Sequence, residues 1–247
     1  MQIEKHTLDN GLTVLLKESR HAPVTTFWVW YRVGSRNEVP GITGISHYAE
    51  HMLFKGSEAF PKDLVHKEIA RNGGIRNAYT WLDFTTFFET LPADRIDLGL
   101  RIEADRMVNA LFDPDEVALE RTVIISERQG AENRPTFLLR EEVAGAAFRI
   151  HPYHHDTIGD MCDLETISRK ELWSHYQTYY GPGNAVAVAA GDFDAQQMLG
   201  RIEELFGPIP ARSSPPPVNR PEPPQRGERR VDLEGSDRTA YCLLYTS

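Results

Sequence analysis

The sequence predicts an α/β (α+β) domain in which helices pack on a mixed, largely antiparallel sheet. Short β-branched and aromatic runs alternate with longer stretches of helical period, the strongest run covering residues 24–33. The runs are separated by pairs of helical stretches, a pattern that lays helices on a sheet. About 210 residues precede a proline-rich stretch, enough to bury a sizeable core.

The elements follow in order. Residues 2–6 and 12–18 flank Asp9-Asn10-Gly11, a turn signal that predicts a hairpin. Residues 24–33 have the composition of a central strand. Helices are expected at 44–55 and 62–72, the second ended by Gly73. Strands at 75–80 and 84–91 continue the sheet, and a helix at 94–110 follows with Asp94 as its cap. The next helix, 114–132, has Asp113 at the N-cap, Pro114 at the first helical position and Glu116 at the third. Helices at 136–149, 168–179 and 194–206 complete the list, with an apolar strand at 183–190.

The chemistry concentrates in His47-Tyr48-Ala49-Glu50-His51. On a helix His51 lies about 40° from His47, and Glu50 about 60° to the other side, so all three share one face. Two neutral imidazoles one turn apart can ligate zinc at about 2.0–2.1 Å, leaving the carboxylate between them free to take a proton from water. H-x-x-E-H is the inverse of H-E-x-x-H and is an inverted zinc-peptidase signature. A third ligand is needed, and a carboxylate can serve. In the capped helix at 114–132, Glu120 and Glu127 are two turns apart and face the same way. Val117, Val123, Ile124 and Ile125 make much of that helix apolar, so burial is expected, with a metal as one partner for the carboxylates. Arg121 and Arg128 are the alternative partners, as helix-surface charges.

These residues, the trailing Met52-Leu53-Phe54-Lys55-Gly56 and a Glu 76 positions after His51 resemble the pitrilysin and mitochondrial processing peptidase family of inverted zinc metallopeptidases. The likeness extends through Asn72-Gly73-Gly74-Ile75-Arg76-Asn77-Ala78-Tyr79-Thr80, His151-Pro152-Tyr153 with Gly159, Tyr180-Gly181-Pro182-Gly183-Asn184 and Gly191-Asp192. The resemblance implies that His47, His51 and Glu127 are zinc ligands, Glu50 the general base and Glu120 a carboxylate supporting the site. It also implies that the strand with Asn77 and Ala78 pairs with substrate backbone. Tyr48 and Ala49 depart from the family's usual aromatic-Leu pair at positions that supply no chemistry. The implied activity is zinc-dependent endopeptidase cleavage of peptides or unfolded protein segments. A scaffold subunit that keeps the zinc site without catalysis, or a zinc hydrolase acting on something other than peptides, are the competing readings.

Members of that family carry two related domains, in one chain or as separate subunits. Here eight of the 16 prolines fall between Pro208 and Pro224. That composition reads as an extended linker at 211–228 between a catalytic domain, 1–210, and the start of a second, related domain, 229–247. Strands are expected at 229–234 and 239–245, with the rest of the second domain supplied in cis or by a partner in trans.

Net charge is −9, from 27 Lys and Arg against 36 Asp and Glu, which disfavours nucleic acid and offers no polybasic segment to acidic membranes. No apolar run reaches membrane-span length. No secretory signal is recognisable at the start, so a cytoplasmic enzyme is expected, or a periplasmic one if residues precede Met1. Cys162 and Cys242 are the only cysteines, which excludes a thiolate cluster. His151, His154 and His155 read as a solvated loop, and Phe27, Trp28, Trp30 and Tyr31 as strand packing.

Overall fold

The computed structural model describes residues 3–234. Its single six-stranded sheet runs β1 (Glu4–Thr7), β2 (Thr13–Glu18), β6 (Ala185–Gly191), β3 (Val24–Tyr31), β5 (Thr85–Pro92), β4 (Ile75–Thr80). Only β2 and β6 pair in parallel; every other neighbour is antiparallel. The mixed, largely antiparallel sheet expected from sequence is therefore present. The late strand β6 lies between β2 and β3, so residues 185–191 close the same sheet that residues 4–31 begin.

Alternation sorts the side chains of each strand onto two faces. Val14 and Leu16, Phe27, Val29 and Tyr31, Phe87 and Leu91, and Ala185, Ala187 and Ala189 point to the helical face and are buried. Each large apolar side chain there contributes about 1.5–3 kcal/mol by leaving water. Trp28, Trp30 and Phe88 belong to the other face and stay half-buried, with Trp28 stacked on Phe88 at 4.0 Å and on Trp30 at 5.6 Å. The strand-packing expectation thus holds for Phe27 and Tyr31, while the two tryptophans form an aromatic layer on the opposite face.

The helices are α1 (Ile45–Met52), α2 (Leu64–Arg71), α3 (Asp97–Asn109), α4 (Pro114–Glu132), α5 (Pro135–Ala147), α6 (Met161–Thr166), α7 (Arg169–Tyr179) and α8 (Ala195–Phe206). Asp113 caps α4, its carboxylate accepting from the Asp115 and Glu116 amides, as its position predicts. α2 ends at Gly73 in a Schellman pattern, Gly74 N–H to Ile69 O and Gly73 N–H to Ala70 O. Two local expectations fail, and one short helix, α6, is added. Asp94 lies in a 3-10 turn and caps nothing, because α3 starts only at Asp97. Residues 229–234 form no strand, while 239–245 lie outside the described residues.

Candidate metal centre

The helix α1 enters the site through a tightly held N-terminus. Glu38 accepts from the Gly44 amide at 2.8 Å and the Ser46 amide at 2.9 Å, and Asp163 accepts from the amides of Gly41 and Thr43. These bonds satisfy donors that a helix start leaves open, and they place negative charge at the positive end of its dipole. Gly44, at φ +84, packs against Gly159, at φ +87; a Cβ on Gly44 would lie 2.4 Å from the Ile158 carbonyl oxygen. Beside them Ser46 Oγ meets His175 Nε2 at 3.2 Å, and burial pushes that imidazole down to about 3, so it stays neutral.

The burial of α4 is one-sided, with Val117, Glu120, Ile124, Arg128 and Ala131 facing inward. Val123 and Leu119 are exposed, so this helix is less buried than its apolar content suggests. The Tyr48 hydroxyl donates to the Val117 carbonyl oxygen and fastens α1 to α4. Neither arginine pairs with Glu120 or Glu127. Arg121 donates to the carbonyls of Leu164, Glu165 and Ile167 at the end of α6, and Arg128 to Glu132, Glu141 and the Gly159 carbonyl.

The packing of α1 on α4 brings His47, His51 and Glu127 together, with one donor atom of each within 4.8 Å of the others. The Nε2 atoms of His47 and His51 are 3.2 Å apart, and Glu127 Oε2 lies 3.5 Å from His51 Nε2 and 3.8 Å from His47 Nε2. Tetrahedral ligands on zinc at 2.0–2.1 Å stand about 3.3 Å from one another, a spacing the two imidazoles meet, while Glu127 sits slightly wide of it and reaches it by a small side-chain adjustment. Glu120 is set apart from them. Its Oε1 accepts from His51 Nδ1 at 2.7 Å, and its other oxygen pairs with Lys55. That bond fixes the His51 tautomer and turns its Nε2 lone pair toward His47 and Glu127. His47 Nδ1 is buried without a hydrogen-bond partner among the described residues.

The two imidazoles differ in basicity. Burial, then the neighbouring His51, pushes His47 down to about 3, so it is a neutral donor at neutral pH. Burial also opposes charge on His51, but the hydrogen bond to Glu120 and the charges of Glu127 and Glu50 outweigh it and raise its pKa. The carboxylates around His51 thus favour positive charge at this point of the pocket. Burial raises the pKa of Glu50, opposed by a 2.6 Å hydrogen bond from the Thr80 hydroxyl to its Oε2. Thr80 ends β4, and its bond to Glu50 had no signal in the chain because 30 residues separate them. The same long-range character hides Glu38 and Asp163.

A cavity of about 400 Å³ opens beside the triad, lined by His47, Thr80, Glu127, Arg134 and the loop Asp156, Thr157 and Ile158. β4, with exposed Asn77 and buried Ala78, forms one edge of the sheet; the Ala78 amide is met by the Asn77 side-chain oxygen at 2.9 Å. His151, His154 and His155 have separate partners: Tyr153 N, the His151 carbonyl and Glu38.

Fold and site together define a helix-on-sheet domain built around an inverted H-x-x-E-H helix and a cluster of three donors that could hold a cation. Residues 13–161 match the family described as Insulinase (Peptidase family M16), and residues 166–247 match Peptidase M16 inactive domain. The chain belongs to the insulinase, or M16 peptidase, family. It is 32% identical over 231 residues to a protein of Helicobacter pylori named Zinc protease PqqE, covering 92% of this chain and 52% of that one. It is 30% identical over 200 residues to the probable mitochondrial-processing peptidase subunit beta of Arabidopsis thaliana, covering 81% and 38%. Among solved structures, a protease from Helicobacter pylori superposes with a TM-score of 0.88 at 31% identity, covering 90% of this chain and 54% of that chain. The chain spans about half the length, or less, of these relatives. No helix among the described residues is long and apolar enough to cross a membrane.

Proposed function

We propose that this chain is the catalytic portion of a zinc-dependent endopeptidase, with His47, His51 and Glu127 as the zinc ligands and Glu50 as general base. The observation that carries the reading is the meeting of three donor atoms from α1 and α4 within 4.8 Å of one another. When bound, zinc supplies Lewis acidity, lowering the pKa of water at the site to about 7 and polarising a scissile carbonyl. Glu50 takes the proton of the attacking water and hands it to the leaving amine. Its burial favours the protonated form, which suits a group that must hold a proton between two steps, and the Thr80 hydroxyl orients the carboxylate. Glu120 holds His51 in the ligating tautomer.

The free edge of β4 at Asn77 and Ala78 gives an extended peptide or unfolded segment a strand to pair with. A second homologous domain, in cis or as a partner subunit, completes the substrate chamber; the half-length coverage of the relatives supports this. In this organisation residues 1–210 are the catalytic domain, 211–228 the linker and 229–247 the start of the next domain.

The test replaces Glu50 by Gln in a form of the protein that hydrolyses peptides. Zinc stays bound while hydrolysis falls by about 10²-fold or more. Unchanged hydrolysis would remove Glu50 from the chemistry.

A further inference from the structure

The proline-rich segment has no helix or strand, as its composition predicts, yet it is not loose. Arg212 donates to the carbonyls of Tyr176 at 3.0 Å and Met107 at 3.1 Å. Ten residues on, the Glu222 carboxylate accepts from three successive backbone amides, those of Arg149 at 2.8 Å, Ile150 at 2.9 Å and His151 at 3.1 Å. Arg229 then donates to the carbonyls of Ala146 and Ala147, at the C-terminal end of α5 where open carbonyls favour a cation. The exit of α5 is thus held by Glu222 of the linker on its amides and by Arg229, just past the linker, on its carbonyls.

The amides that Glu222 gathers begin the segment that walls the cleft. Five residues after His151, Asp156 is paired with Arg140 at 2.5 Å; Asp156 to Ile158 line the cavity. In the same segment His155 bonds Glu38, the carboxylate that caps α1, at 3.0 Å, and Gly159 packs on Gly44. A chain of direct contacts therefore runs from the linker to the cleft wall and to the start of the helix that carries His47 and His51.

We propose that Glu222 is a positioning residue: by gathering the amides of residues 149–151 it ties the linker to the 149–159 segment and sets the cleft wall against α1. Whatever follows residue 229 is thereby coupled to the substrate cleft. The consequence for peptide binding rests on the proposed peptidase reading; the ordering of the segment does not. The three convergent amides hold the carboxyl down to about 2, so it stays ionised across the physiological range.

The experiment compares the 247-residue chain with Glu222→Ala and Glu222→Gln by amide hydrogen exchange. The Ala variant should raise exchange about tenfold or more at Arg149, Ile150 and His151, and also at Ile158 and Gly159, with β6 amides unchanged. Gln keeps one acceptor and should recover part of the protection. On a zinc-loaded Glu50→Gln background, Glu222→Ala should weaken the binding of fluorescein-labelled β-casein several-fold without changing zinc content. No change in exchange, or a change confined to 149–151 with unchanged casein affinity, overturns the proposal. A wild-type chain that takes up no zinc would defeat the peptidase reading instead and leave the exchange result to decide this one.

Discussion

The segment from His51 to Phe54 serves two charge clusters that settle their electrostatics in opposite ways. In the cleft, Glu50, Glu120 and Glu127 surround His47 and His51, Lys55 pairs only with Glu120, and the surplus negative charge faces a cavity open to solvent. Beneath the sheet, Glu89 and Glu103 are fully buried beside Arg106, whose guanidinium bonds Glu103 at 2.5 Å and stays 3.9 Å from Glu89. Arg106 and Arg76 both stack over the Phe54 ring. Neither Glu89 oxygen has a hydrogen-bond partner, and burial, followed by repulsion from Glu103, raises its pKa well above the usual carboxylate value. A closed cluster resolves excess acid by keeping a proton. An open one, with two imidazoles beside a carboxylate, would on the proposed reading resolve it by accepting a cation.

Mutations that break one cluster should leave the other's signature intact. The largest stability effect is expected for Arg106→Ala, which strands Glu103 as an uncompensated buried charge and should cost about 3–5 kcal/mol in urea unfolding. A loss below about 1 kcal/mol would mean that the buried pair is solvated by water or already neutral. Next comes Glu120→Ala. It removes the acceptor of His51 Nδ1 but no ligand, so zinc affinity in a chelator competition should weaken by about 10–100-fold while stoichiometry at saturation is kept. Complete loss of zinc would make Glu120 a ligand and undo the distinction between the two glutamates of α4.

The smallest effect separates protonation from pairing. Because the folded-state pKa of Glu89 lies above its unfolded value of 4.5, its contribution to stability is complete below about pH 4.5 and is lost as pH rises through the folded-state value. Glu89→Gln mimics the protonated form at every pH. The variant should match the wild type in mild acid and become relatively more stable as pH rises, seen as a widening gap in denaturation midpoint. A gap that is widest in acid would show that Glu89 is ionised in the fold.

The legibility of these two clusters in the sequence is unequal. His47, Glu50 and His51 were readable because helical spacing alone sets their common face, and Asp113-Pro114 announced α4. Glu120 and Glu127 stood out as a pair on one helix face, but which of them is the ligand needed the family resemblance, since 69 residues separate His51 from Glu120 and nothing local brings α4 onto α1. The sheet class was readable from strand composition, but not the insertion of β6 between β2 and β3, which is decided by packing of its small Ala185, Ala187 and Ala189 under the helices. Glu89 sits in a strand as an interruption of an apolar run, and its partner Arg106 comes from α3. The linker's composition correctly signalled extended backbone and gave no hint of the three side chains that pin it.

The central claim is that α1 and α4 jointly hold one metal ion. Zinc content measured by elemental analysis on purified wild type, His51→Ala and Glu127→Ala proteins tests it most directly, with circular dichroism confirming that each variant is folded. The account predicts about one zinc per wild-type chain and strong loss in both variants, since each removes one of three protein ligands. Folded His51→Ala protein that retains a full equivalent of zinc would contradict it.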